Sequence, residues 1–238
     1  MSKTISGISG KVTAASLLVA LGIIYGDIGT SPLYALRAVI GNREITETLV
    51  YGGISCIFWT LVLQTTLKYI WLTLKADNEG EGGVFSLYAL VRRYGKKLVI
   101  PTILGATALI ADGIITPPIS VASAIEGLGM VNGLENIVVS GNNFTVGLVV
   151  IILSFLFFFQ RFGTHVIGRY FGPIMAIWFG MIFIIGVSQI VSDPGILKAL
   201  SPHFAYDLLT QYPKGFWLLG AVFLCTTGAE ALYSDLGH

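Results

Sequence analysis

Apolar runs of membrane-spanning length alternate with short polar stretches along the chain. A helix needs about 20 mostly apolar residues to cross the hydrocarbon core. Runs of that order place spans at about 14–37, 49–74, 99–129, 144–160 and 170–191. A sixth begins near residue 216 and is still apolar at His238, so 216–238 reads as the start of a truncated helix with the other half of the molecule downstream. The remaining segments are an N-terminal tail (1–13), a loop at 75–98 and a loop at 192–215. Most spans are plain, and "FTVGLVVIILSFLFFFQ" is the plainest. The first is not: "GIIYGDIGTSPLYAL" carries Asp27, Gly22, Gly26, Gly29, Pro32 and the hydroxyl pair Thr30-Ser31. The sixth repeats the device in "CTTGAEALYSDLG". The predicted fold is therefore all-α, a polytopic transmembrane bundle with interrupted first and sixth helices.

Composition narrows the class. The chain is 54% hydrophobic and 11% charged, against about 25% charged in soluble domains. A net charge of +1 gives no concentrated basic face, which argues against nucleic acid as a partner. Cys56 and Cys225 lie in apolar runs and match no disulfide or zinc spacing. Outside the spans, Lys3, Lys11, Lys75, Arg92, Arg93, Lys96, Lys97, Arg161 and Arg169 fall on one side, with Arg43, Lys198 and Lys214 on the other and Arg37 at the span edge there. Loop Lys and Arg mark the cytoplasm. The N terminus and loop 75–98 are therefore predicted cytoplasmic, and 192–215 outer. Loop 75–98 reads as a Gly-rich turn followed by a short amphipathic helix. The tryptophans (Trp59, Trp71, Trp178, Trp217) fit interfacial or packing roles, and His165 and His203 fall in predicted loops.

Charge inside the spans changes the picture most. The acids are Asp27, Asp112, Glu126, Glu230 and Asp235, while the one base is Lys68, near the cytoplasmic end of span two, where it can snorkel. An ionised Asp at a helix centre costs about 2.5–3.5 kcal/mol even on insertion scales. So many acids cannot all be paired within the spans. Each must face water, carry a proton or meet a cation from outside, and the last two together describe a proton-coupled cation path.

Spacing supplies candidate ligands. In "ADGIITPPISVASAIEG", Asp112, Thr116 and Ser120 are four apart and share a helix face, to which Glu126 nearly returns. Pro117 and Pro118 lack N–H groups, which frees the carbonyls of Gly113 and Ile114. The stripe is either a set of oxygen ligands for a hard alkali cation or a Pro-kinked helix whose hydroxyls bond back to their own backbone. The first span offers the same choice, with Thr30, Ser31 and Tyr34 beside Asp27. Interrupted helices at matching positions of two halves point to a transporter's midplane site. Five helices separate the starts of the two interrupted spans, the pattern of a five-plus-five inverted repeat.

Four blocks, "YGDIGTSPLYAL", "ADNEGEGG", "ITPPISVASAIEGL" and "TGAEALYSDLGH", resemble the signature blocks of the Kup/HAK/KT potassium-uptake transporters, in the family's order. The resemblance implies a fold similar to the amino acid–polyamine–organocation superfamily. It also implies secondary active K⁺ uptake by H⁺ symport in the cell membrane, with K⁺ and H⁺ as substrates and no cofactor. Carried over residue by residue, it implies that Asp27, Thr116 and Thr227 surround K⁺, with Thr30, Tyr34 and Ser120 nearby. Asp112, where relatives often have Glu, and Glu230 would carry protons. Glu126 is a secondary candidate that could instead pair near the outer end of its helix. Homo-oligomerisation is left open. Three rival classes fit less well. An amino acid carrier of the same fold would need fewer buried acids. An intramembrane aspartyl protease would need Tyr-Asp and Gly-x-Gly-Asp, where the chain has Tyr25-Gly26-Asp27 and Ala111-Asp112-Gly113. A K⁺ channel would need a filter like "TVGYG". No enzymatic activity is expected.

Overall fold

The structure, a computed structural model, describes residues 13–76, 78, 81–134, 138–139, 141–160 and 164–234; at positions 15, 16, 19, 23 and 164–169 it describes the backbone alone. The regular elements among the described residues are all helical. The first span is two helices, α1 (Ala14–Ile28) and α2 (Ser31–Ile40). Pro32 sits at the second position of α2, where its missing N–H costs nothing. Just before it, the hydroxyls of Thr30 and Ser31 donate to the Asp27 carbonyl at 3.0 and 2.8 Å, so the end of α1 is satisfied locally. Gly26 stays inside α1; the break falls at Gly29-Thr30.

Helix α3 (Glu47–Leu61) starts at Thr46, whose side chain accepts from the Leu49 N–H. It continues into a π-helical stretch, Val62–Leu72, and a 3₁₀ turn, Thr73–Lys75. Then follow α4 (Gly83–Val91), α5 (Val99–Leu128), α6 (Asn143–Gln160) and α7 (Thr164–Ser192). Helix α5 runs unbroken through Pro117 and Pro118. Residues 192–215, read from sequence as a loop, contain a 3₁₀ segment, Pro194–Leu200, and α8 (Pro202–Gln211). The sixth span is composed of a 3₁₀ segment, Gly215–Leu218, then α9 (Leu219–Phe223), a 3₁₀ turn, Leu224–Thr226, an irregular stretch at 227–230, and α10 (Ala231–Ser234). Asp235 lies outside the described residues.

Among the described residues, Glu47–Lys75, Lys96–Leu128, Asn143–Gln160, Tyr170–Ser192 and Gly215–Ser234 are long and apolar enough to cross a membrane. The first span is not one of them because its break leaves helices of 15 and 10 residues. This is a polytopic membrane helical bundle.

Lipid tails are as apolar as Leu, so helices in a bilayer associate through close packing rather than water exclusion. Glycines set that packing here. The backbone of Gly172 on α7 lies against the Leu18 carbonyl of α1, and the ring of Phe179 against Gly29. Beside that contact Trp178 Nε1 donates to the Gly29 carbonyl at 3.3 Å, which covers the break in the first span from the α7 side. Gly52 and Gly215 both press on Leu208 of α8. Leu208, Val39, Leu49 and Val222 are fully buried where α2, α3, α8 and α9 meet. By contrast, α6 and α7 expose Phe155, Phe157, Ile177, Phe183 and Ile184. The expectation that both histidines sit in loops is corrected: His165 lies within α7, and His203 on α8 pairs with Asp207 at 3.2 Å.

Candidate functional site

The two helix breaks touch. Gly228, in the irregular stretch of the sixth span, has φ +81°, a conformation glycine adopts without strain. An added Cβ there would lie 2.8 Å from Asp27 Cβ and 2.9 Å from Asp27 Oδ2. The Asp27 carboxylate therefore rests directly on the backbone of the sixth-span break.

Beside this contact stands a cluster of three hydroxyls. Ser31 Oγ is 2.8 Å from Tyr34 Oη and 2.7 Å from Thr227 Oγ1, and Tyr34 Oη is 2.8 Å from Thr227 Oγ1. Ser31 Oγ also reaches the Asp27 carbonyl at 2.8 Å and Asp27 Oδ1 at 3.1 Å, while Thr227 Oγ1 reaches the Leu224 carbonyl at 3.0 Å. A hydroxyl has one proton and two lone pairs. Three protons thus serve six contacts, and the cluster has acceptors to spare. Ser31, Tyr34 and Thr227 are all buried. The α1 end beside them also carries the negative pole of a helix dipole. Such a place suits a cation.

A cavity of about 290 Å³ opens next to the cluster. Asp112, Glu230, Thr226 and Thr227 line it, facing Gln64, Lys68 and Tyr69 from the π-helical stretch. The Asp112 and Glu230 carboxyls are within hydrogen-bonding reach of one another, and Asp27 adds a third acid within Coulomb range. Among the described residues no three acids, histidines or cysteines converge tightly enough to chelate a metal ion.

The candidates from sequence divide into groups. Asp27, Tyr34 and Thr227 meet at the hydroxyl cluster. Asp112 and Glu230 meet at the cavity, and Thr116, outside its lining, donates to Asp112 Oδ1 at 3.0 Å. Ser120, one turn beyond Thr116, has a buried Oγ with no partner among the described residues. Thr30 is turned onto the carbonyls of Gly26 and Asp27, and its neighbour Ser31 reaches the cluster instead. Glu126 stands apart, 3.2 Å from Arg37 of α2. Since Arg37 is half exposed, this pair is worth about 1 kcal/mol at most. Glu126→Gln is accordingly expected to lower the melting temperature in detergent by roughly 2–4 °C and to leave the cavity intact; a larger drop would mean that the pair does more than tie α2 to α5.

Lys68, exposed in the second half of span two, also lines the cavity. The i→i+5 bonding of the π-helix widens the turn, so Gln64, Lys68 and Tyr69, four and five apart, share the face turned toward Asp112 and Glu230. Sequence reasoning placed Ser31 beside Asp27 without giving it a role, and it did not single out Gln64, Thr226 or Gly228 as site residues. Ser31 lies four after Asp27 and three before Tyr34, which is how it reaches both.

Comparison with known proteins is decisive for the family. Residues 14–238 match the K⁺ potassium transporter integral membrane domain. The chain belongs to that family. It is 58% identical over 233 residues to a probable potassium transport system protein Kup of Cytophaga hutchinsonii, covering 96% of this chain and 34% of the relative. Similar proteins of the same description occur in Flavobacterium johnsoniae, 52% identical with 100% and 36% covered, and in Clostridium perfringens, 52% identical with 96% and 35% covered. The chain thus spans about a third of the length of the curated relatives it matches. No solved structure matches it. The family is one of integral membrane transporters rather than enzymes, and nothing in the match supports an amino acid carrier or a protease.

Proposed function

We propose that the protein containing this chain carries K⁺ into the cell across the cell membrane by symport with H⁺. One observation carries the reading: the breaks of the first and sixth spans meet at Asp27, and a hydroxyl cluster rich in acceptors stands there beside a cavity holding two further acids.

Potassium, the cargo, is held between the breaks by Asp27, Thr116 and Thr227, with the Tyr34 and Ser31 hydroxyls next to them. Carboxylate charge offsets the dehydration of the ion, and hydroxyl and carbonyl oxygens replace its water. Ser120, whose hydroxyl is unspent, extends this set along α5. Asp112 and Glu230 carry the proton. Two carboxylates facing each other in a low-dielectric cavity repel one another, and either a proton on one or a cation between them relieves the repulsion. With K⁺ held at Asp27 and a proton on the Asp112–Glu230 pair, the loaded site carries little net charge, and the two ions cross together. The N terminus is cytoplasmic, as the distribution of Lys and Arg argues. The contact between two interrupted helices is the arrangement expected of a five-plus-five inverted repeat, whose halves rock to alternate access.

The test is flux through the complete transporter in liposomes. Uptake of K⁺ is expected to exceed that of Na⁺ or of amino acids by more than tenfold, and to be driven by an inward proton gradient alone. Uptake indifferent to that gradient removes the symport; preferential uptake of an amino acid removes the substrate.

A further inference from the structure

Among the described residues Lys68, itself exposed, is the one base that lines this cavity beside its acids. Its ammonium rests over the ring of Tyr69, 4.8 Å from the centroid, and among the described residues it has no carboxylate partner. Tyr69 in turn lies within Coulomb range of Glu230, and Lys68, Asp112 and Glu230 line the same 290 Å³ space. The π-helical register holds Lys68 on this face, and its backbone carbonyl is fixed by the Thr73 hydroxyl at 2.7 Å. What remains free is a flexible four-carbon stem ending in a compact charge with three donors. A cation–π contact of this kind is a weak resting place. A charge-assisted hydrogen bond to a carboxylate is a stronger one.

On the transport reading above, a symporter must return empty after it releases K⁺. It then carries Asp112 and Glu230 through its closed state with no cargo to offset them, which is the costly condition for acids inside a bilayer. We propose that Lys68 is a tethered counter-cation. Its ammonium leaves Tyr69 for the Asp112–Glu230 pair when K⁺ departs, neutralises the empty site, and is displaced when a new ion arrives. It is a positioning residue that does not touch the transported ion. It governs the return of the empty carrier and not the passage of the loaded one.

This separates two fluxes that a structural role would not separate. The protein to use is a chimera in which this chain replaces the matching third of the Cytophaga hutchinsonii relative. Net K⁺ accumulation requires the empty return; exchange of external Rb⁺ for internal K⁺ does not. Lys68→Met is expected to lower net accumulation tenfold or more, to leave Rb⁺/K⁺ exchange within threefold of the unmodified chimera, and to be reversed by at least half in Lys68→Arg. Unchanged net accumulation in Lys68→Met overturns the proposal. So does a parallel fall of both fluxes per transporter in the membrane, with no recovery in Lys68→Arg. If the unmodified chimera moves neither ion, the transport reading itself fails, an outcome distinct from either.

Discussion

Gly228→Ala is expected to reduce K⁺ uptake by at least tenfold while the protein still reaches the membrane. Two costs coincide at this position. A side chain at φ +81° is strained by about 1–2 kcal/mol. The new methyl would also stand 2.8 Å from Asp27 Cβ, closer than carbon atoms approach without displacement. Asp27 cannot simply yield, because it is the penultimate residue of α1 and its own carbonyl is held by Thr30 and Ser31. The separation of the two breaks has to change instead, and with it the 2.7 Å contact between Ser31 and Thr227. Gly220→Ala is the control. That glycine has open space where a Cβ would stand and no positive φ, so uptake should stay within twofold. Equal losses in both variants would show that the sixth span resists any enlargement, and that the contact with Asp27 has no special standing.

Much of this architecture was legible because breaking a helix inside a membrane needs particular residues. Pro32 removes a donor, Thr30 and Ser31 supply hydroxyls for the orphaned carbonyls, and Gly228 permits a positive φ; each leaves a mark in the sequence. The excess of span acids was legible for the same reason, since a carboxylate in an apolar run is costly enough to demand an explanation. Pro117 and Pro118 show the limit of that logic. The residues that break a helix when isolated can be carried through when neighbouring elements hold the backbone, and α5 continues past both. Helix α8 escaped notice because "PHFAYDLLTQ" is too polar and too short for a span.

Within the site, the unread part is rotational. Whether Thr30 or Ser31 joins Tyr34 depends on where α1 ends to within one residue, which composition does not specify. The facing of Lys68 depends on an i→i+5 register that the tertiary environment selects. The ion pair of Arg37 with Glu126 joins residues 89 positions apart, beyond any local spacing rule. Periodicity identifies a face of a helix; which neighbour that face meets is decided by packing.

Asp27→Asn should have the largest effect of any side-chain change at the site. The substitution keeps the shape and removes the charge, so it isolates the electrostatic contribution. A unit charge about 4 Å from a cation, at an effective dielectric constant near 20, contributes about 4 kcal/mol, which corresponds to roughly three powers of ten in affinity. The neighbouring hydroxyls cannot make up the difference, since their lone pairs already face the ion in the unmodified protein and carry no net charge. The apparent KM for K⁺ is therefore expected to rise by a factor of about 100 to 1,000, with proton dependence retained at saturating K⁺. Glu230→Gln should differ in kind. It acts on the Asp112–Glu230 pair, so it should remove the pH dependence of uptake while shifting the KM by much less. Measuring KM and the pH profile on both variants distinguishes a site in which Asp27 holds the ion from one in which all three acids share the same task. Near-normal uptake in Asp27→Asn would mean that the ion is held elsewhere, and the contact between the two helix breaks would then have to be explained by packing alone.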